Sequence, residues 1–189
     1  MLSESQVSAL TGSFDLHTPA GMRDHAMALC MLHMGLRAGE VASLELDDID
    51  WRGAVIRLNR GKTRRCRELP LPTTCGTSIV RYLKHGRPPK AAQRRLFLRH
   101  TVPVGIPLAA ENVRGAMRRA YGRAGFPPRW TGTHVLRHTA ATRMLENGAT
   151  LKELADVLGH QSIDTTAIYT KVNFVALETA TLRWPEVRS

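Results

Sequence analysis

The chain has 189 residues, with 27 Lys and Arg against 16 Asp and Glu, so its formal net charge is +11 at pH 7. This length suffices for one well-buried domain, and no apolar run approaches the ~20 residues needed to cross a bilayer. The three cysteines lack a CxxC pair, which argues against a disulfide framework or a zinc site. The N-terminus lacks the pattern of a signal peptide, so we expect a reduced, cytoplasmic protein.

Capping patterns and apolar periodicity predict a chain that is mainly helical. Ser3 with Gln6 forms a capping box that opens a first helix, ending at Gly12. Thr18 as the N-cap and Pro19 in the first turn mark the start of a second helix, which ends at Gly35. The same signals predict further helices over residues 38–46, 73–86, 108–125, 133–148, 150–159, 161–172 and 173–184.

Residues 47–72 have a different character. Alternating apolar and polar residues, with glycines at 53 and 61, predict three short antiparallel strands with "RGKTR" at the tip of the last hairpin. A basic connection over residues 87–107 contains one short extended piece, "LFLR". We therefore predict an α+β fold, mainly α-helical with a small three-stranded antiparallel sheet.

The positive charge is concentrated in the middle of the chain. Between Trp51 and Arg143 there are 21 Lys or Arg against only Glu68 and Glu111, whereas the rest holds 6 basic and 14 acidic residues. Such a patch attracts a polyanion, usually DNA or RNA. The alternative is a solvated, arginine-rich surface without a ligand. We favour a polyanion site over it because arginine, which outnumbers lysine here, binds phosphate through two hydrogen bonds.

Several residues lie at element ends without a packing reason to be there. Arg37 follows an apolar helix, where it could simply answer the helix dipole, and Lys62 lies at a hairpin tip, where lysine is common. His134 and His138 have the i, i+4 spacing of metal ligands, but no third ligand lies near them in sequence. Each of these signals is weak alone.

In their order along the chain, the signals form a specific pattern. The segments are "GLRAGE", "GKTRR" on a hairpin, "HVLRHTAATRMLENG", "LGH" and, nine residues after that histidine, "IY". This order resembles the catalytic domain of the tyrosine recombinases, also called the phage integrase family. The resemblance runs from about Ser3 to Val172 and implies that family's catalytic-domain fold.

The resemblance implies roles around a scissile phosphate. Arg37 and Arg137 match the pair that neutralises charge on the two non-bridging oxygens. A guanidinium group suits this task because it is permanently charged and can donate two parallel hydrogen bonds. Tyr169 matches the nucleophile, and His134 matches the general base or proton acceptor. The start of the helix that carries His134 and Arg137 adds a favourable field for an anion.

Four more positions complete the implied site. Lys62 matches the family's general acid for the leaving 5′-oxygen. Arginines crowd the same hairpin tip, but an arginine is a poor proton donor at neutral pH, so Lys62 is the better choice. His160 matches a group that hydrogen-bonds the phosphate, Glu40 matches an acid that orients arginine or histidine side chains, and His138 is expected to be structural. Basic residues expected to contact DNA are Arg60, Arg64, Arg65, Arg114 and Arg118.

The implied activity is site-specific cleavage and rejoining of DNA strands through a 3′-phosphotyrosyl intermediate. It requires no metal, ATP or other cofactor. The substrate is double-stranded DNA, on which the protein is expected to form a tetramer, and the free protein is expected to be a monomer. No membrane is involved. Residues 1–189 are expected to form one catalytic domain without the family's N-terminal DNA-binding domain. The alternatives are a catalytically silent DNA-binding relative and a type IB topoisomerase-like enzyme that relaxes DNA by the same route.

Overall fold

The structure, a computed structural model, describes residues 1–60, 64–89, 93–128 and 132–159. This part of the chain contains seven α-helices and one three-stranded antiparallel sheet, which confirms the predicted fold class. The elements are α1 (Glu4–Gly12), α2 (Pro19–Met34), α3 (Ala38–Ser43), β1 (Ile49–Asp50), β2 (Val55–Arg60), β3 (Arg64–Pro70), α4 (Thr73–His85), α5 (Ala110–Arg123), α6 (His134–Glu146) and α7 (Leu151–Leu158). No helix in the described ranges has both the length and the apolar character needed to span a membrane.

Helix α2 is the centre of the core. Almost every side chain from Ala26 to Met34 is buried, and the helix packs against α3, α4, α5 and α6. A helix that is apolar on all sides is expected to be enclosed by other elements. The left-handed Gly35 (φ +64°) ends α2 and turns the chain into α3.

The predicted helix starts are confirmed where capping residues specify them. Ser3 and Gln6 form both hydrogen bonds of a capping box, and so do Thr150 and Glu153 at the start of α7. The Thr18 hydroxyl accepts a hydrogen bond from the first turn of α2. The two helices predicted over 161–172 and 173–184 lie outside the described residues.

The helix predicted over 38–46 was wrong at its C-terminal end, because α3 stops at Ser43. Leu44 and Glu45 leave the helical conformation and pair with the segment that contains "LFLR", and a short 3₁₀ helix follows over Leu46–Asp48. The Leu96 amide donates to the Leu44 carbonyl over 2.8 Å, and the Leu46 amide donates to the Arg94 carbonyl over 2.9 Å. A partner segment about 50 residues away therefore decided the end of this helix.

The sheet has the strand order β1-β2-β3. Along β2 and β3, more buried residues alternate with more exposed ones. Ile56 pairs with Leu69, and both side chains are buried. Leu58, also buried, pairs with Arg67 of β3. Because successive side chains of a strand point to opposite faces, Arg67 lies on the inner, apolar face of the sheet.

Replacing Gly35 with alanine should destabilise the fold. A Cβ atom there would lie 2.7 Å from Cδ2 of Leu158, and the left-handed backbone disfavours any side chain. We expect the free energy of unfolding to fall by about 1–3 kcal/mol in a urea titration.

The matched control is Gly122→Ala in α5, where nothing lies within 4 Å of the added carbon. Alanine should stabilise that exposed helical position by up to about 1 kcal/mol. Equal stability changes in the two variants would contradict the strain assigned to Gly35.

Candidate active site

A basic cleft of about 560 Å³ lies where the first turns of α3 and α6 meet α5. Its walls contain five of the predicted site residues, contributed by segments far apart in sequence. The lining residues are Leu36, Arg37, Ala38, Gly39, Glu40, Ser43, Arg114, Thr133, His134 and Arg137. Helix N-termini favour anions, so two of them strengthen the attraction of this cleft for a negatively charged group.

The two predicted phosphate-binding arginines converge on one backbone oxygen. The carbonyl of Leu158, the last residue of α7, accepts from Nη1 of Arg37 over 3.2 Å and from Nη2 of Arg137 over 2.7 Å. Nη1 of Arg137 also donates to the Gly35 carbonyl over 2.6 Å. Carbonyls at helix ends lack a helical partner and are negatively polarised, which makes them suitable anchors for guanidinium groups.

The described helix-end contact of Arg37 is with the C-terminus of α7, whereas the sequence suggested the end of α2, which Arg37 follows. The Arg37 side chain is 40% exposed and lies open in the cleft, whereas Arg137 is only 8% exposed. A partly exposed guanidinium beside a buried one gives the cleft a fixed positive wall.

Glu40 holds the arginine side of the cleft in place. Its carboxylate is nearly fully buried: Oε2 accepts from the Arg37 amide over 2.8 Å, and Oε1 accepts from Nη1 of Arg37 over 3.2 Å. Oε1 also accepts from Nη2 of Arg67 over 3.0 Å. The sequence predicted that Glu40 orients arginine or histidine side chains, and in the structure its described partners are arginines.

His134 is the first residue of α6, and its exposed side chain lines the basic cleft. Its ring meets that of His138 edge to face, with 6.2 Å between the ring centroids. Burial, reinforced by His134, the N-terminal amino group and Arg137, lowers the pKa of His138, so its imidazole is neutral near pH 7. His138 is absent from the cleft lining, as its expected structural role requires.

Gly132 is a residue that sequence reasoning missed. A Cβ atom there would lie only 2.1 Å from Nδ1 of His134, so a side chain would displace the imidazole as it stands. The signal in the sequence was a glycine two residues before a candidate proton acceptor. Within the described ranges, no three His, Cys, Asp or Glu side chains cluster as metal ligands; that the site uses no metal stays a prediction.

Arg114 and Arg118 of α5 were both predicted to contact DNA. Arg114 lines the basic cleft and pairs with Glu111 over 3.1 Å, whereas Arg118 lies outside the lining and reaches the same carboxylate at 3.6 Å. The structure therefore brings Arg114 to the site and places Arg118 further along α5. The backbones of Arg60 and Arg64 form the end of the hairpin strands, but the side chains of the predicted hairpin arginines, Arg60, Arg64 and Arg65, lie outside the description.

Three predicted catalytic residues, Lys62, His160 and Tyr169, lie outside the described residues. The chain reaches position 160 through Gly159, which caps α7 in the left-handed conformation. A Cβ at Gly159 would lie 2.4 Å from Nη1 of Arg67. The end of α7 that precedes His160 thus belongs to the same group of contacts as the arginines of the cleft.

Arg67 is the second residue that sequence reasoning missed, since it was counted only as part of the basic patch. The available signal was an arginine at an inward position of a strand, two residues before the buried Leu69. Burial, and next the charge of Arg37, lowers the pKa of Arg67 to about 10. Its guanidinium remains charged at neutral pH.

Comparison with known proteins identifies the family. The sequence profile of the phage integrase family matches residues 1–175 of this chain. The chain belongs to this family, the tyrosine recombinases.

This chain is similar to two curated family members and to one recombinase of known structure. It is 45% identical over 184 residues to the candidate integrase/recombinase y4rA of Sinorhizobium fredii (strain NBRC 101917 / NGR234), covering 97% of this chain and 44% of that protein. It is 38% identical over 177 residues to the tyrosine recombinase XerD of Xanthomonas axonopodis pv. citri (strain 306), covering 90% of this chain and 58% of that protein. The crystal structure of XerA recombinase superposes with a TM-score of 0.80 at 25% identity, covering 97% of this chain and 66% of that one.

The recombinase-family chain therefore spans about half the length of these two curated relatives. The matched part includes the residues that form the basic cleft. Family membership and the geometry of that cleft together carry the functional proposal below.

Replacing Glu40 with glutamine should destabilise this recombinase-family chain. The amide keeps the shape of the side chain but removes the negative charge between Arg37 and Arg67. We expect the free energy of unfolding, from urea titration, to fall by about 1–3 kcal/mol.

The control is Glu111→Gln, because Glu111 also forms ion pairs with two arginines but is 67% exposed. Its loss should change the free energy of unfolding by less than about 0.5 kcal/mol. A similar small change in both variants would mean that Glu40 does not hold the arginines together.

Proposed function

We propose that this protein is a site-specific DNA recombinase or integrase that cleaves and rejoins strands through a 3′-phosphotyrosyl intermediate. The observation that carries the proposal is that Arg37 and Arg137, which share the Leu158 carbonyl as an acceptor, line the same basic cleft as the exposed His134. Membership in the phage integrase family supports the choice of DNA as the substrate.

In the proposed reaction, the arginines stabilise the charge that develops on the scissile phosphate. A guanidinium is permanently charged and donates in a fixed fork, and held in advance it needs no reorganisation when the charge appears. Arg137 is fixed by two helix-end carbonyls, and Arg37 is fixed by Glu40 and one of those carbonyls. Two arginines anchored in this way supply a positive site without a metal ion.

Proton transfer divides among the remaining proposed residues. Tyr169 attacks phosphorus with its phenolic oxygen. Because the unperturbed pKa of a phenol is about 10, this hydroxyl must give up its proton to an acceptor, and we propose His134 for that role. Lys62 donates a proton to the leaving 5′-oxygen, and His160 hydrogen-bonds the phosphate. A 5′-hydroxyl from a partner strand then attacks the phosphotyrosine, releases Tyr169 and completes the exchange.

The phosphodiester energy is retained in the phosphotyrosine, so we propose that the exchange requires no ATP. Because Arg37 and Arg137 would stabilise the charge on the phosphate, we propose that it requires no metal either. Strand exchange between two duplex sites involves four cleavage positions, and we propose that four copies assemble on the DNA from free monomers. We propose the cytoplasm as the compartment, where the described cysteines, all of them free thiols, would stay reduced.

The first test is covalent capture. The protein is incubated with nicked duplex DNA and a chelator, and adducts are sought on a denaturing gel. We expect an adduct from the unaltered protein and none from Tyr169→Phe.

The control is Tyr82→Phe, which changes a tyrosine that is buried beside Leu98 and remote from the cleft lining, and which should retain the adduct. An adduct that persists in Tyr169→Phe would assign the nucleophile elsewhere. Binding to duplex DNA without any adduct, also after fusion to a family N-terminal domain, would support a catalytically silent DNA-binding protein.

A second test measures the contribution of the basic cleft to DNA binding. Arg114→Gln should weaken duplex binding and reduce the slope of log affinity against log salt by about 1, because one phosphate contact and its released counterion are lost. Arg81→Gln is the control, since Arg81 is an exposed arginine that lines a separate groove with His25 and Ser78.

The control variant should keep the slope of the unaltered protein. Equal slopes for both variants would exclude Arg114 from the phosphate contacts. A slope near zero for the unaltered protein would contradict the basic cleft as the DNA surface.

A further inference from the structure

Arg67 occupies a position where the fold would accept an apolar side chain. It lies on the inner face of the sheet, opposite the buried Leu58 and two residues before the buried Leu69. Its side chain is only 13% exposed. Burying a guanidinium costs free energy unless its hydrogen bonds are replaced, so this arginine requires specific partners.

Those partners belong to two other elements. Nη2 donates to Oε1 of Glu40 in α3 over 3.0 Å, and Nη1 donates to the Val157 carbonyl in the last turn of α7 over 2.7 Å. Arg67 itself is part of β3, which leads back to the hairpin tip that carries Lys62. One side chain therefore links the hairpin, α3 and the end of α7.

Each of these elements also carries a residue of the proposed site. Oε1 of Glu40 holds Arg37 as well as Arg67, so the two guanidinium groups share one oxygen. Next to Val157, the Leu158 carbonyl binds Arg37 and Arg137, and the chain reaches His160 two residues later. Two cations on one carboxylate oxygen repel each other, which makes this an unfavourable choice if stability alone were at stake.

We propose that Arg67 is a positioning residue that fixes Arg37, the end of α7 and strand β3 relative to one another. It acts through Glu40 and Val157 without touching the DNA. This inference rests on the proposed function for its effect on catalysis, but its effect on Arg37 concerns the free protein alone.

The variant that tests it is Arg67→Met, which keeps an unbranched apolar side chain on the inner face but removes the contacts that tie β3 to Glu40 and to the end of α7. Arg57→Met is the matched control: it lies on the neighbouring strand, faces outward, and pairs with Asp50 and Glu68 at 44% exposure. Urea titrations establish that both variants are folded.

The catalytic readout is the single-turnover rate constant of adduct formation at saturating nicked DNA, with the dissociation constant measured separately. We expect Arg67→Met to lower the rate constant at least tenfold while the dissociation constant changes less than threefold. Arg67→Lys, which can reach one partner but not both, should recover part of the rate, and Arg57→Met should remain within twofold. A folded Arg67→Met variant with an unchanged rate constant would overturn the proposal.

The second readout needs no activity. The ¹⁵N–¹H signal of Arg37 Nε, assigned with Arg37→Lys, should exchange with solvent at least tenfold faster in Arg67→Met, while that of Arg23, which is held by Asp24 and the Leu98 carbonyl, stays unchanged. Unchanged Arg37 exchange would overturn the positioning role even if the unaltered protein formed adducts. Faster Arg37 exchange without any adduct from the unaltered protein would support the positioning role and count against the proposed function.

Discussion

A buried carboxylate and the last carbonyl groups of one helix hold the basic cleft together. Glu40 binds Arg37 and Arg67, while the end of α7 accepts hydrogen bonds from Arg37, Arg67 and Arg137. Without these partners, three guanidinium groups in one place would repel one another and lose their hydration. Glu40 supplies the single full negative charge among these contacts, and the helix end supplies polarised oxygens. The rest of the cleft depends on this arrangement.

The same arrangement suits the proposed reaction. A positive site made of fixed side chains and two helix N-termini is ready before the phosphate becomes more negative, so little reorganisation is needed. Within the part of the chain that the structure describes, four of the six hydrogen bonds from these guanidinium groups go to carbonyl dipoles, which orient the groups without cancelling their charge. Net positive charge therefore remains for an anionic ligand. Burial, and next the charge of Arg37, lowers the pKa of Arg67.

Local patterns predicted much of the fold. The helix starts marked by Ser3, Thr18 and Thr150 are confirmed, because a cap depends on residues only three positions apart. The predicted end of the helix at residue 46 was wrong, because distant residues 94–96 draw the backbone into extended pairing. Five of the predicted site residues, Arg37, Glu40, Arg114, His134 and Arg137, line one cleft, whereas Arg118 lies outside its lining; the roles of these residues stay a prediction.

The sequence by itself determined the helical character, the small sheet, the basic middle and the residues that resemble the family's catalytic set. Each of these depends on composition, on neighbouring residues or on a fixed order along the chain. Only the tertiary structure decided that Glu40 serves two arginines, that the end of α7 anchors three, and that Gly132 leaves space for His134. Apart from those of Glu40 with Arg37 and of Gly132 with His134, these contacts join residues between 21 and 121 positions apart, the longest being that of Arg37 with Leu158. Their geometry follows from how the helices pack around α2, which no local pattern encodes.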